Sequence, residues 1–327
     1  MRRTVGDEMI GMHGNSVPLR SVVTRVIEPR SGLLMGAGAY LLWGLFPLYW
    51  PLLAPASAVE ALAHRFVWSL AFVLVLLAAT RRWDHFRVIW ADRQRVAFLA
   101  VASMVIAVNW GVFIWGVTHE RVIETSLGYF INPLVTVMLG VFVLGEPMRP
   151  WQWSAVGFGA VAVVILTADY GRLPGVALAL AASFATYGFL KKRAGLGAIE
   201  SLGAETAILA PVALGFLIWL NATGRGTFGH AGTANALLLA GTGIVTAIPL
   251  LLFGGAATRV SLTTLGILQY LGPGLQFVFG LTIFHEPMSG AAWIGFLLVW
   301  VALVIFTADG IRHHRRVLRL SAEAVAA

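Results

Sequence analysis

The chain contains no cysteine, which excludes disulfides, thiolate metal sites and cysteine nucleophiles. Charge is scarce too: Asp, Glu, Lys and Arg make up 12% of its 327 residues, against about 25% in an ordinary soluble domain. With 58% hydrophobic residues there is not enough polar side chain to cover a soluble surface. A Gly-x-x-x-x-Gly-Lys-Ser/Thr loop is missing, so direct drive by a nucleoside triphosphate has no binding site to work from. Polar stretches between the apolar runs are short, which leaves no sizeable soluble domain for a partner. Residues 1–31 carry no apolar periodicity, and the first apolar run lacks a small-residue cleavage site, so it is read as a retained span behind a cytoplasmic tail.

What is present is apolar length. Runs near 32–50, 57–79, 96–116, 122–144, 151–168, 174–190, 201–220, 236–257, 261–284 and 291–307 each approach the roughly 20 residues that cross a hydrocarbon core of about 30 Å. Abundant Gly, Trp and Phe suit a helical membrane bundle, where small residues permit close packing and aromatic rings sit at interfaces. The net charge of +8 does not point to nucleic acid, because the basic residues fall between apolar spans rather than along one folded face. With the N-terminus placed inside, only Arg121, Arg172 and Arg225 lie in outside segments and Arg65 lies within a span; every other Lys and Arg is inside. That asymmetry predicts an even number of spans, with both termini in the cytoplasm of a bacterial inner membrane.

The chain repeats itself. Glu146-Pro147-Met148 returns 140 residues on as Glu286-Pro287-Met288, Thr167-Ala168-Asp169 as Thr307-Ala308-Asp309, and Pro133 as Pro273. A repeat of five spans must enter the membrane from the opposite side in its second copy. The expected fold is therefore all-α: a polytopic membrane protein of ten transmembrane helices in two inverted five-helix repeats. Residues 1–31 form the N-terminal tail, 32–169 the first repeat, 170–309 the second, and 310–327 a basic cytoplasmic tail. Inverted repeats are a common architecture of secondary transporters, with the solute site between the halves near mid-membrane.

Polar residues inside the spans mark where such a site would be. Thr125, Tyr129, Asn132 and Thr136 share one helical face. The same stripe in the second copy runs through Gln269 to Gln276, beside Tyr270. Pro133 and Pro273 each remove a backbone donor next to this stripe. Tyr129, Asn132, Thr136, Gln269, Tyr270 and Gln276, with Asn109 and Trp110 of the third run, are the expected cavity lining. The plainer alternative is that these amides hydrogen-bond neighbouring helices as packing contacts.

Charged groups within spans need partners or water. Arg65 at a helix centre would cost about 2.5–3.5 kcal/mol, unless it reaches outward to the interface. The expected charge or coupling group comprises Glu60, His64, Arg65 and Glu205, the last at the repeat-equivalent position of Arg65. An acid such as Glu124 or Glu205 near a helix start is also favoured by the helix dipole alone. The repeated Glu-Pro elements read as structural turns.

The runs Glu60-Ala61-Leu62-Ala63-His64-Arg65, Asn109-Trp110, Glu124 through Leu134 and Thr263 through Pro273 resemble the EamA group of the drug/metabolite transporter superfamily, over about Gly32 to Asp309. The resemblance implies ten helices, a plasma-membrane location and secondary transport of small solutes, and it carries over no catalytic residue. Together the readings predict a transporter, not an enzyme, that moves a small-molecule solute by alternating access. Ion-coupled efflux with protons as the coupling ion is the expected mode, with the lipid bilayer as a further partner and no nucleic acid. No cofactor or metal is expected; a homodimer is left open. The rivals are a membrane-embedded enzyme, which would need a nucleophile with its base or a set of metal ligands, and a non-transporting receptor or scaffold.

Overall fold

The computed structural model describes residues 29–81, 83–145, 147–194, 198–260 and 262–326. The N-terminal tail up to residue 28 and Glu146 of the first Glu-Pro turn lie outside them. Among the described residues there are helices and no strand. They are α1 (Pro29–Gly44), α2 (Phe46–Tyr49) followed by a 3-10 turn (Trp50–Leu53), α3 (Ala58–Thr80), α4 (Trp83–Ile89), α5 (Arg93–Thr118), α6 (Val122–Leu144) and α7 (Pro150–Tyr170). The second half continues with α8 (Gly175–Ala194), α9 (Ala198–Ala222), α10 (Thr233–Ala257), α11 (Leu262–Leu268), α12 (Leu271–Thr282) and α13 (Gly290–Ala326).

Seven of these helices are long and apolar enough to cross a membrane, and an eighth span follows if the bent α1–α2 pair is counted as one. Two spans expected to be continuous are not. The first bends by 42° where Pro47 and Pro51 interrupt the hydrogen-bond ladder. The run at 261–284 is divided into α11 and α12 by a turn at Gln269–Tyr270, just before Gly272-Pro273-Gly274, whose glycines are poor helix formers and whose proline lacks a donor. Pro273 therefore sits in the first turn of a new helix, where a missing N–H is harmless. Pro133, its counterpart, stays inside the unbroken α6.

Packing follows a rule of exchange. α8 lies along α5 and α6, and α1 lies along α10 and α12, so the first helix of each half packs with the other half. α3 packs on α10 and α9 on α5, while α3–α9, α6–α12 and α7–α13 pair directly. Within this set of pairings, replacing each helix by the one 140 residues away gives another pairing of the set. Among the described glycines the closest contact is between α10 and α3: a Cβ on Gly243 would lie 2.3 Å from the Trp68 carbonyl oxygen, so only glycine lets these backbones meet.

The duplicated motifs hold α7 and α13 together. Arg149, the N-cap of α7, pairs with Asp309 at 2.5 Å. Asp169, near the C-terminus of α7, accepts from the hydroxyl of Ser289, which in turn accepts from Ala292 N in the first turn of α13. The start of α7 thus meets the middle of α13 and the start of α13 meets the end of α7, so the two run antiparallel.

One end of the bundle is tied by two acids, buried Glu124 and half-buried Glu286. Glu124 of α6 accepts from Val176 N at the start of α8 (3.0 Å) and from Arg172 (2.8 Å); that bond raises the Arg172 pKa further. Glu286 accepts from Val122 N and, at 2.9 Å, Ile123 N, covering otherwise unpaired donors of α6. Asn235 donates to Leu53 O. This end carries Arg121, Arg172 and Arg225, and is called the arginine-poor end below.

Candidate functional site

Seven residues into α3, about 10 Å along its axis, the Arg65 side chain is enclosed, with 3% of the residue exposed. Its Nε donates to Thr246 Oγ1 of α10 at 2.8 Å. The guanidinium lies 3.6 Å from the Trp110 ring centroid, 5.2 Å from that of Trp50 and 5.6 Å from that of Phe46. Trp110 is itself stacked on Phe66. Among the described residues no carboxylate is within ion-pair distance of Arg65, whereas Arg149, Arg172 and Lys191 each have one. The ring faces contribute about 0.5–2 kcal/mol per contact, which offsets part of the burial cost and holds the cation in a box of aromatic walls.

Beside the box stands a polar relay. Tyr129 of α6 donates to Asn109 Oδ1 (3.2 Å), and Asn109 donates to Leu180 O (3.0 Å) and Ser183 Oγ (2.9 Å) of α8. Tyr129 is half-buried between Phe113 and Phe184 and lies within electrostatic reach of Arg65. The expected residues Arg65, Trp110, Asn109 and Tyr129 therefore form one cluster at the junction of α3, α5, α6, α8 and α10. Buried Asn132, one turn deeper on α6, has its Oδ1 without a hydrogen-bond partner.

Other expected residues stand apart from this cluster. Thr136 is exposed and donates to Asn132 O in its own helix. Gln269 donates to Gly266 O, closing the turn before α12. Tyr270 meets Thr307 Oγ1 at 3.4 Å, against α13. Gln276 donates to Trp43 O of α1 and leaves a buried Oε1 without a partner. Buried Glu60 accepts from the backbone and hydroxyl of Thr227, fastening the α9–α10 loop to α3. His64 accepts from Trp68 Nε1 and lies against Phe228. Glu205 accepts from Tyr187 (2.9 Å) and Ser201 (2.6 Å), with Lys191 at 3.5 Å, in a separate buried network toward the opposite end.

Sequence reasoning missed Thr246, Trp50 and Phe46, the groups that accommodate Arg65. Thr246 is 181 residues away, and only the packing of α10 on α3 brings it there. A vestibule of about 300 Å³ opens at the arginine-poor end between Pro55, Val117, Thr118, Glu120 and Phe284. Trp50 lines it too, and so is shared by the vestibule and the Arg65 box.

A bundle of membrane-length helices around a buried polar cluster defines a multi-pass membrane protein of transporter type, and residues 30–168 match the EamA-like transporter family. The chain belongs to that family. It is 56% identical over 289 residues to Protein RarD of Streptomyces exfoliatus, covering 88% of this chain and 92% of that one. It is 40% identical over 289 residues to Protein RarD of Escherichia coli strain K12, covering 88% and 98% of the two chains. To the uncharacterized transporter YojE of Bacillus subtilis strain 168 it is 40% identical over 294 residues, covering 88% and 97%. A protein known from a crystal structure shares the fold, with a TM-score of 0.57 at 21% identity over 86% of this chain and 98% of the other.

Proposed function

We propose that the chain is a secondary transporter that carries a small solute through alternating access between two inverted five-helix halves, residues 32–169 and 170–309. The observation that carries this reading is Trp50: the residue borders the vestibule and its ring walls the box around Arg65, so an open space adjoins the side chains that surround a buried polar cluster. The exchange rule in the packing supports the inverted-repeat reading. Two halves with equivalent neighbours have two equivalent ways to close, one opening each end. In the ten-span form of this reading, α1–α2 is one broken span, α11–α12 is another and α8 is a short span, with both termini on the basic, cytoplasmic side.

In this reading Arg65, Trp110, Asn109 and Tyr129 contact the solute, and Asn132 and Gln276 supply unpaired acceptors deeper in the path. Gln269 and Tyr270 act at the broken ninth span and Thr136 at the edge of the lining. Glu205, with Tyr187 and Lys191, closes the basic end while the vestibule is open. Protons are the proposed coupling ion, with Glu60, His64 and Glu205 as the titratable groups of the spans, and efflux is the proposed direction.

The test is a solute screen in sealed proteoliposomes with and without a pH gradient. Gradient-dependent flux in wild type, reduced in Asn132→Leu and Gln269→Leu variants that still insert, is expected. Flux equal to protein-free vesicles for every solute class, or full flux in both variants, contradicts the reading or its site respectively.

A further inference from the structure

We infer that the Arg65 box takes a small carboxylate anion with a flat apolar body. This rests on the transport reading of the cluster and names the class of solute. Hydrogen-bond donors are in excess there. Arg65 commits Nε to Thr246, and its terminal Nη1 and Nη2 have no hydrogen-bond partner among the described residues. The indole N–H of Trp50, a wall of the same box, is buried without an acceptor. A ligand that satisfies these groups brings acceptors, not donors.

The charge has the same sense. Arg65 is enclosed by rings rather than by an acid, so the box is cationic when empty. A planar fork with Nε already occupied presents its Nη1–Nη2 edge, which matches the two oxygens of a carboxylate in a bidentate pair. Of the acids on the helices that wall the box, Glu60 is engaged with Thr227 and Glu124 with Arg172 and Val176 N, and Glu120 lies in the vestibule rather than in the box. That disfavours zwitterions and cations. The rest of the wall is Trp110, Phe46 and the Trp50 face, which suits an aromatic or otherwise flat apolar body, and the enclosure of Arg65 favours a small one.

The experiment is calorimetric titration of the full chain in lipid nanodiscs with four compounds sharing one ring system: indole-3-acetate, indole-3-acetamide, tryptamine and tryptophan. The acetate is expected to bind at least tenfold tighter than the amide, and the amine and the zwitterion no better than the amide. Arg65→Gln should bring the acetate down to the amide's level, and Arg65→Lys should recover only part of the loss. Should Arg65→Gln fail to fold, the wild-type series still decides, and Trp50→Phe should weaken the acetate severalfold with little change for the amide. Equal affinity for acetate and amide, tighter tryptophan or tryptamine, or no measurable acetate binding overturns the inference. Because binding is read without flux, selective acetate binding in a protein that moves no solute would overturn the transport reading alone.

Discussion

Arg149 and Asp309, 160 residues apart, meet with Nη2 and Oδ2 at 2.5 Å, and the positions related to them by the 140-residue repeat, Ser289 and Asp169, meet at 2.7 Å. In each case the residue that follows a Glu-Pro-Met motif binds the aspartate of the Thr-Ala-Asp motif farther away in sequence. These contacts give the Asp of each Thr-Ala-Asp motif a structural role.

The ion pair is half-exposed on its arginine side, so it should contribute about 1 kcal/mol rather than several. Arg149→Asp and Asp309→Arg should each lower the melting temperature in detergent, and the double exchange should recover most of the loss. Additive losses in the double variant would show that the two side chains do not interact.

Gly243 tests how closely α10 and α3 approach. Gly243→Ala forces a methyl group against the Trp68 carbonyl and should cost about 1–3 kcal/mol or prevent folding. Gly157→Ala meets nothing within 4 Å and should be neutral or stabilising, by up to about 1 kcal/mol. Fluorescence-detected size-exclusion melting separates the two; equal effects would contradict the packing.

The turn before each Glu-Pro uses a left-handed residue. Gly145 has φ 64° and its counterpart His285 has φ 50°. A side chain there costs about 1–2 kcal/mol, of which glycine's greater chain entropy returns part. His285→Gly should therefore raise the melting temperature, while Gly145→His should lower it. A fall on His285→Gly would mean that the imidazole makes a contact worth more than the strain.

Glu286 gives a pH signature. Burial raises its pKa, and its bonds from Val122 and Ile123 N–H lower it only in part, so the folded value lies above the unfolded one. The folded state then binds the proton more tightly, and the Glu286 contribution to stability grows as pH falls through the raised value toward the ordinary carboxylate range. Melting curves of wild type and Glu286→Gln should converge or cross in wild type's favour on acidification. Parallel curves from neutral pH to weakly acid pH would contradict this.

Much of the helical layout was legible because apolar length and basic asymmetry are local signals. The breaks were not: Pro47 and Pro51 lie in a run that stays apolar through Trp50, and Gln269–Tyr270 looks like the middle of a span until the glycines beside Pro273 weaken it. Within the site, Arg65 stood out because a lone cation in an apolar run is conspicuous. Thr246 did not, since a threonine in a span ordinarily bonds its own helix, as Thr246 also does to Thr242 O. Helical spacing placed Thr136 and Gln269 on a polar stripe, but it carries no information on whether a side chain reaches across a cavity or folds back on its own backbone.

The proposed alternation is open to a direct distance measurement, because a chain without cysteine accepts spin-label pairs without background. One pair, Thr118 and Phe284, spans the vestibule at the arginine-poor end; another, Arg95 and Thr258, spans the basic end between α5 and the end of α10. On adding a transported solute in lipid bilayers, double electron–electron resonance should show the two distances changing in opposite directions, one end closing as the other opens. Both distances fixed, or both moving the same way, would contradict alternating access between exchanged halves.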